Sequence, residues 1–340
     1  MPNEPICLDA LTLEDGQLFH DKKGRPRELP RALAPLADSH GHLTSFRGRD
    51  ASAAICRAAL AGVRLLVVPV DPVDEIPRKF ASPAAYLDWI NRQVDEAARL
   101  LDQCASRGLV PPVPLGWEGV DLPDLVDNVH IVAGVHPYGA DAFDDGAIAR
   151  LEELLSSPRC VGVGEIGLDF GPYNELGASV QEEAFRKQLD IAGEHGLPVE
   201  LHIRDGVEED DHSARELAVR VLSDCGVPAA GCDLHCFTDG PEVMRPFVEL
   251  GCYIAFGGAA TFKRSGDIRA AAAACPTDRL LSETDCPYMA PVPLRGEECE
   301  PAMVAFSAAC VAHERDVAGT SGPAATYRAF WENACALFSL

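Results

Sequence analysis

The 340-residue chain has no run of eighteen apolar residues, so no membrane-spanning helix is expected. Its opening segment, MPNEPICLDALTLEDGQ, lacks a basic stretch followed by an apolar one, which argues against a secretory signal. Thirteen cysteines are present but no CxxC pair is, which disfavours a thiolate zinc knuckle. In a chain expected to be cytoplasmic they read as reduced thiols, most of them small apolar fillers. Positive charge is also scarce: 29 Lys and Arg stand against 53 Asp and Glu, a net charge of −24. Such a surface repels a polyanion, so no extended duplex-binding face is expected. A phosphate can still be processed where metal ions supply the positive charge locally.

What is present is a recurring unit. Short apolar runs appear near residues 35–38, 63–70, 129–135, 160–166, 198–203, 232–237, 252–258 and 280–285, with helix-like segments between them such as 179–196 and 240–251. Eight strands alternating with helices predict a (β/α)8 TIM barrel. A doubly wound sheet fits less well, because no glycine-rich phosphate loop follows the first strand. Residues 1–34 form an N-terminal extension, and residues 35–340 the barrel. Residues 71–128 are an insertion between strands two and three, holding a helix with Ser82 as N-cap, Pro83 at its first position and Gly108 as its stop. The Pro-rich stretch after that helix reads as a loop partly covering the barrel mouth, and Trp89 on the helix reads as core.

The ionisable residues fall at strand ends. His40 and His42 follow strand one, His136 strand three, Glu165 strand four, His202 and Arg204 strand five, His235 strand six and Asp285 strand eight. Barrel enzymes build their sites from the C-terminal ends of strands, so these side chains are expected to converge on one mouth. Four histidines and two carboxylates suit Zn²⁺, Mn²⁺ or Ni²⁺ better than Ca²⁺. Six ligands exceed one tetrahedral ion, so two divalent ions are expected: His40, His42 and Asp285 on one, His202 and His235 on the other, Glu165 bridging. Asp285 is the candidate proton acceptor for a metal-activated water, and Asp38 the acceptor for a histidine N–H behind the pair. Asp169 is a candidate for shaping its loop or supporting the site, and Tyr138 and Thr238 for lining the mouth. Cys236 and Cys286 read as spacers. His20, His130, His195, His212 and His313 read as surface or packing residues.

With these segments laid out, the chain resembles the TatD-related metal-dependent hydrolases of the amidohydrolase-like superfamily. DSHGHL, GVHP, VGVGEIGLD, QEEAFRKQLDIAGEHGLPVELHIR, LHCFTDGPEVMRPFVELGCYIAFGG and RLLSETDCPYMAP carry the resemblance, over residues 36–45 and nearly all of 129–293. It implies a (β/α)8 barrel, dependence on divalent metal (Zn, Mn, Mg or Ni), and hydrolysis of nucleic-acid phosphodiesters, often from a strand end. It places the family's metal ligands on His40, His42, Glu165, His202, His235 and Asp285, and phosphate-holding groups on His136 and Arg204. One departure stands out. A loop of the form RGKRNEP is usual after the last strand, and here the chain reads LRGEECEP (294–301), with Glu297 and Glu298 in place of basic residues. The acidic rim keeps a second substrate class in view, a small ester, lactone, amide or phosphate compound. A catalytically dead scaffold would have lost ligands, and all six are present.

Overall fold

The computed structural model describes residues 11, 16–111, 117, 128–208 and 211–340. Eight strands form one sheet in sequence order: β1 (Leu36–Asp38), β2 (Val63–Val70), β3 (Val129–Ala133), β4 (Cys160–Asp169), β5 (Val199–Arg204), β6 (Cys232–Leu234), β7 (Tyr253–Phe256) and β8 (Leu280–Ser282). Every neighbouring pair is parallel. The ends of the sheet meet: Ser39 N–H donates to Ser282 O (3.1 Å), and Ser282 Oγ donates to Ala37 O (2.8 Å). This is the (β/α)8 barrel that the strand–helix alternation predicts.

The helices α1 (Ala51–Ala61), α2 (Pro83–Ser106), α3 (Asp145–Leu155), α4 (Ala178–His195), α5 (Ser213–Cys225), α6 (Pro241–Glu249), α7 (Gly266–Ala274), α8 (Val304–Val317) and α9 (Pro323–Phe338) follow in chain order. The floor of the barrel is apolar: Ala37, Leu65, Val67, Val132, Val161, Ala255 and Leu281 pack with Trp331, Leu337 and Phe338 of α9. With the floor closed by α9, the strand interiors become polar only toward their C-terminal ends, where the site lies.

Residues 71–128 are less foreign to the barrel than the sequence suggests. Helix α2 packs against α1 and α3, so it takes the ring position after β2. It buries Tyr86, Ile90, Val94, Ala97, Leu100 and Cys104, a spacing of three or four that lines one helical face. Ser82 accepts from Ala85 N–H (3.2 Å), and Gly108, at φ +67°, closes the other end. The Pro-rich stretch expected to cover the mouth lies almost wholly outside the described residues. In the N-terminal extension, Phe19–His20 pairs antiparallel with Pro26–Arg27 around Asp21, and Phe19 packs on Phe306 of α8. No described helix is long and apolar enough to cross a membrane.

Several strands end earlier than their apolar runs. β8 stops at Ser282 rather than Asp285, and β6 at Leu234 rather than Phe237. The chain leaves the ladder there because Cys236 (φ +48°) and Asp285 (φ +54°) adopt the left-handed conformation that L side chains rarely take. Backbone strain of this kind concentrates at functional sites and persists where surrounding contacts fix it. Here Cys236 N–H donates to Glu283 Oε1 (2.6 Å), and Asp285 N–H donates to His40 O (2.9 Å).

Candidate metal centre

Glu165, midway along β4, is the hub. Its Oε1 lies 2.6 Å from His202 Nδ1, 2.9 Å from His235 Nε2 and 3.7 Å from His136 Nε2. Its Oε2 faces the other way, 3.7 Å from His42 Nε2 and 4.0 Å from His40 Nε2. Asp285 completes that second group, with Oδ1 3.7 Å from His42 and 3.9 Å from His40. The two oxygens of one buried carboxylate therefore address two separate sets of imidazoles. His40 and His42 also bring their Nε2 atoms within 2.9 Å of each other, and the His40 and His235 rings stack at 4.0 Å.

The donor set fits divalent cations. Three groups of ligand atoms, each within a 4.8 Å span, can be drawn from this cluster: His40, His235 and Asp285; His40, His42 and Glu165; His136, Glu165 and His202. The nitrogen and carboxylate oxygen mixture suits borderline-to-hard metals, and no thiolate enters any group. Burial, followed by neighbouring imidazoles, lowers His40 and His42 to about 3, so both present the neutral form that binds metal. Burial would likewise lower His235, but Glu165 and Glu283 outweigh it and hold the ring well above its ordinary range. Burial would raise Glu165, yet His136, His235 and His202 together keep it ionised, well below the usual carboxylate range. Burial pushes Asp285 up to about 7, with Glu283 and Glu165 adding to it against the opposing effect of His235.

Further carboxylates set the rings. Glu200 Oε1 lies 2.7 Å from His40 Nδ1, with both side chains fully buried. Asp169 Oδ2 lies 3.0 Å from His202 Nε2, while its Oδ1 accepts from Gly171 N–H (2.7 Å), so it both supports the site and shapes its loop. Glycine makes room for these approaches. A Cβ on Gly164 would come within 2.6 Å of Glu200 Cβ, and one on Gly41, between the two histidines, within 2.8 Å of Cys286 Sγ.

Asp38 corrects the sequence reading. Its carboxylate accepts from Thr284 N–H and Oγ1 (both 2.7 Å), not from a histidine ring. The two-residue alternation that would carry Asp38 beneath His40 stops where β1 ends, and the group behind His40 is Glu200. Cys236 is also more than a spacer, since its Sγ lies 3.5 Å from Asp285 Oδ2. Sequence reasoning missed Glu200, Asp233 and Glu283, all buried beneath the histidines. Their signal was available: each is a charged residue two positions before a site residue.

His136 sits deeper than a group expected only to hold phosphate, its ring edge-on to His202 at 4.4 Å. Arg204 lies exposed at the rim over the Tyr173 ring. Tyr138 and Thr238 are exposed. Glu298 is engaged in the rim itself, accepting from the backbone N–H groups of Arg47 (2.7 Å) and Gly48 (3.0 Å). Beside it, Glu300 forms a buried two-point pair with Arg57 of α1 (2.7 and 2.6 Å). The acidic loop thus ties the segment after β8 to the segment after β1. His130 and His195 keep structural partners, Asn128 and Glu152.

Residues 37–339 match the family described as TatD related DNase. The chain belongs to that family. It is 33% identical over 204 residues to the metal-dependent hydrolase YabD of Bacillus subtilis, covering 60% of this chain and 76% of the relative. It is 41% identical over 160 residues to the 3'-5' ssDNA/RNA exonuclease TatD of Cronobacter turicensis, covering 47% of this chain and 57% of that protein. The fold matches the TatD homologue YJJV of Escherichia coli with a TM-score of 0.65 at 23% identity, over 90% of this chain and 98% of that one. These TatD-type relatives make the protein a metal-dependent hydrolase.

Proposed function

We propose that the protein is a divalent-metal-dependent nuclease that releases nucleotides from ends of single-stranded DNA or RNA. The observation that carries this reading is Glu165, whose two carboxylate oxygens face two separate groups of imidazoles. His40, His42 and Asp285 would hold one cation and His202 and His235 a second, with Glu165 a ligand available to either. Bound there, divalent ions supply Lewis acidity toward a phosphoryl oxygen and acidify a water into a nucleophile. The chain's own part is to orient and to move protons. Asp285, whose Oδ1 faces His40 and His42, would accept the proton of the attacking water and pass it to the leaving oxygen. Arg204 at the rim and His136 beside Glu165 hold the oxygens that do not react. The net charge of −24 limits engagement to a strand end rather than a long duplex.

The same constellation supports a second reading, a hydrolase of a small ester, lactone, amide or phosphate compound, which the charge balance and the acidic 294–301 loop favour. The test is a panel of single-stranded DNA, RNA and small esters assayed with Mg²⁺, Mn²⁺ and Zn²⁺. Release of mononucleotides is expected. Strong ester turnover without nucleotide release would replace the first reading by the second.

A further inference from the structure

Beside the metal centre lies a cleft of about 300 Å³ that none of the chemistry above uses. One wall is the segment that follows His42, through Phe46 and Arg49. The other is Lys79, Phe80, Trp89 and Gln93, from the start of the 71–128 region and the first turns of α2. The two walls are joined where Thr44 hydrogen-bonds Glu75. The cleft therefore begins within a few residues of His42, at Leu43 and Thr44.

Its composition is unusual for this acidic chain. Phe80 packs against Trp89 (centroids 5.4 Å apart, 52° between planes) and edge-on to buried Tyr86, which fixes the aromatic wall. Phe46, Phe80 and Trp89 are each only partly buried, so ring surface remains open to a ligand. Two cations flank the rings, beside the Asp50 carboxylate, which accepts from the Ser52 hydroxyl and Ala53 N–H. Lys79 lies 3.2 Å from Glu75 and Arg49 lies 3.6 Å from Glu300. Those acids are already shared, Glu75 with Thr44 and Glu300 with Arg57, so the ammonium and guanidinium are steadied but retain spare donors. The Gln93 side-chain amide, partly exposed in the cleft, has no hydrogen-bond partner among the described residues.

Open aromatic faces next to cations, with an amide able to donate and accept, form the combination that binds single-stranded nucleotides: stacking for the base, charge for the phosphate. The volume of about 300 Å³ sits at the lower end for ligand sites. We propose that this cleft is a nucleotide subsite, holding the nucleotide adjacent to the scissile phosphate. Its base lies against Phe80 and Trp89, its edge meets Gln93, and its phosphate meets Lys79 and Arg49. The inference rests on the nuclease reading and adds to it a source of single-strand preference.

The test uses the full chain loaded with Mn²⁺ and two substrates: a single-stranded oligonucleotide, and methyl 4-nitrophenyl phosphate, which has no neighbouring nucleotide. Trp89→Leu and Lys79→Ala should each raise KM for the oligonucleotide about tenfold, while kcat/KM for the small diester stays within about twofold. Parallel losses on both substrates, or no loss on either, would overturn the proposal. Independently of turnover, dAMP should quench the tryptophan emission of the wild-type protein and leave that of Trp89→Phe unchanged, with adenosine binding more weakly than dAMP. If no polymer is cleaved but dAMP still quenches through Trp89, the nuclease reading fails and the subsite stands. If dAMP does not quench, or quenches both proteins equally, the subsite fails whatever the polymer assays give.

Discussion

Glu200 Oε1 and His40 Nδ1 lie 2.7 Å apart in the fully buried interior of the barrel, directly below the candidate metal centre. Burial raises the Glu200 carboxyl well above its ordinary range in the metal-free chain; when Glu200 ionises and accepts from Nδ1–H, the His40 Nε2 lone pair is left aimed at the mouth, where His42 and Glu165 lie. Such outer partners typically account for ten- to hundredfold in metal affinity. Glu200→Leu should therefore weaken cation binding by about that factor, measured by titration calorimetry. Glu200→Gln, which keeps an acceptor oxygen, should recover most of the loss. Unchanged affinity in the Leu variant would remove the positioning role.

His202→Ala and Asp285→Asn should abolish hydrolysis and hardly change folding, because strand-end groups at a barrel mouth serve chemistry rather than the packed interior. The comparison is Phe185→Ala on α4, a fully buried ring whose truncation should cost about 3–5 kcal/mol. Urea unfolding of the metal-free proteins checks this. Site variants that lose as much stability as Phe185→Ala would count against the placement.

Cation uptake should release protons. In the metal-free protein burial opposes the charge on His235, but Glu165 and Glu283 raise its pKa well above the ordinary range, so the ring holds a proton near neutral pH. Asp285, at about 7, is partly protonated there too. Both must deprotonate to bind metal, so affinity should rise with pH as proton competition fades and fall on acidification. Calorimetric heats at pH 7 should differ between buffers of different ionisation enthalpy. Buffer-independent heats would contradict this account.

The rim clasp makes a stability prediction. Arg57 and Glu300 are nearly or fully buried and bonded at two points, so Glu300→Ala removes the acid of a buried ion pair and should cost about 3–5 kcal/mol. The Arg57→Met, Glu300→Leu double variant should lose much less, since neither half of the buried two-point pair remains. A double variant as unstable as the single one would show that packing, not charge, holds the clasp.

The barrel and the six converging side chains were legible because strand-end histidines and carboxylates interrupt apolar runs at fixed places. The supporting carboxylates were harder to see. Glu200 in PVELHI and Asp233 in CDLHCF look like lapses in a strand until the barrel turns them inward, and only the fold shows that Glu200 meets His40 from 160 positions away. Asp38 misled because a two-residue period was extended past the end of β1. Glu298 misled because charge counting cannot tell a carboxylate facing substrate from one accepting the Arg47 and Gly48 amides.

The most direct measurement is anomalous diffraction from crystals of the protein soaked in Mn²⁺. Two peaks are expected, one on the Glu165 Oε2 side with His40, His42 and Asp285, and one on the Oε1 side with His202 and His235. A single peak touching only one of these groups, or peaks away from Glu165, would contradict the two-cation centre.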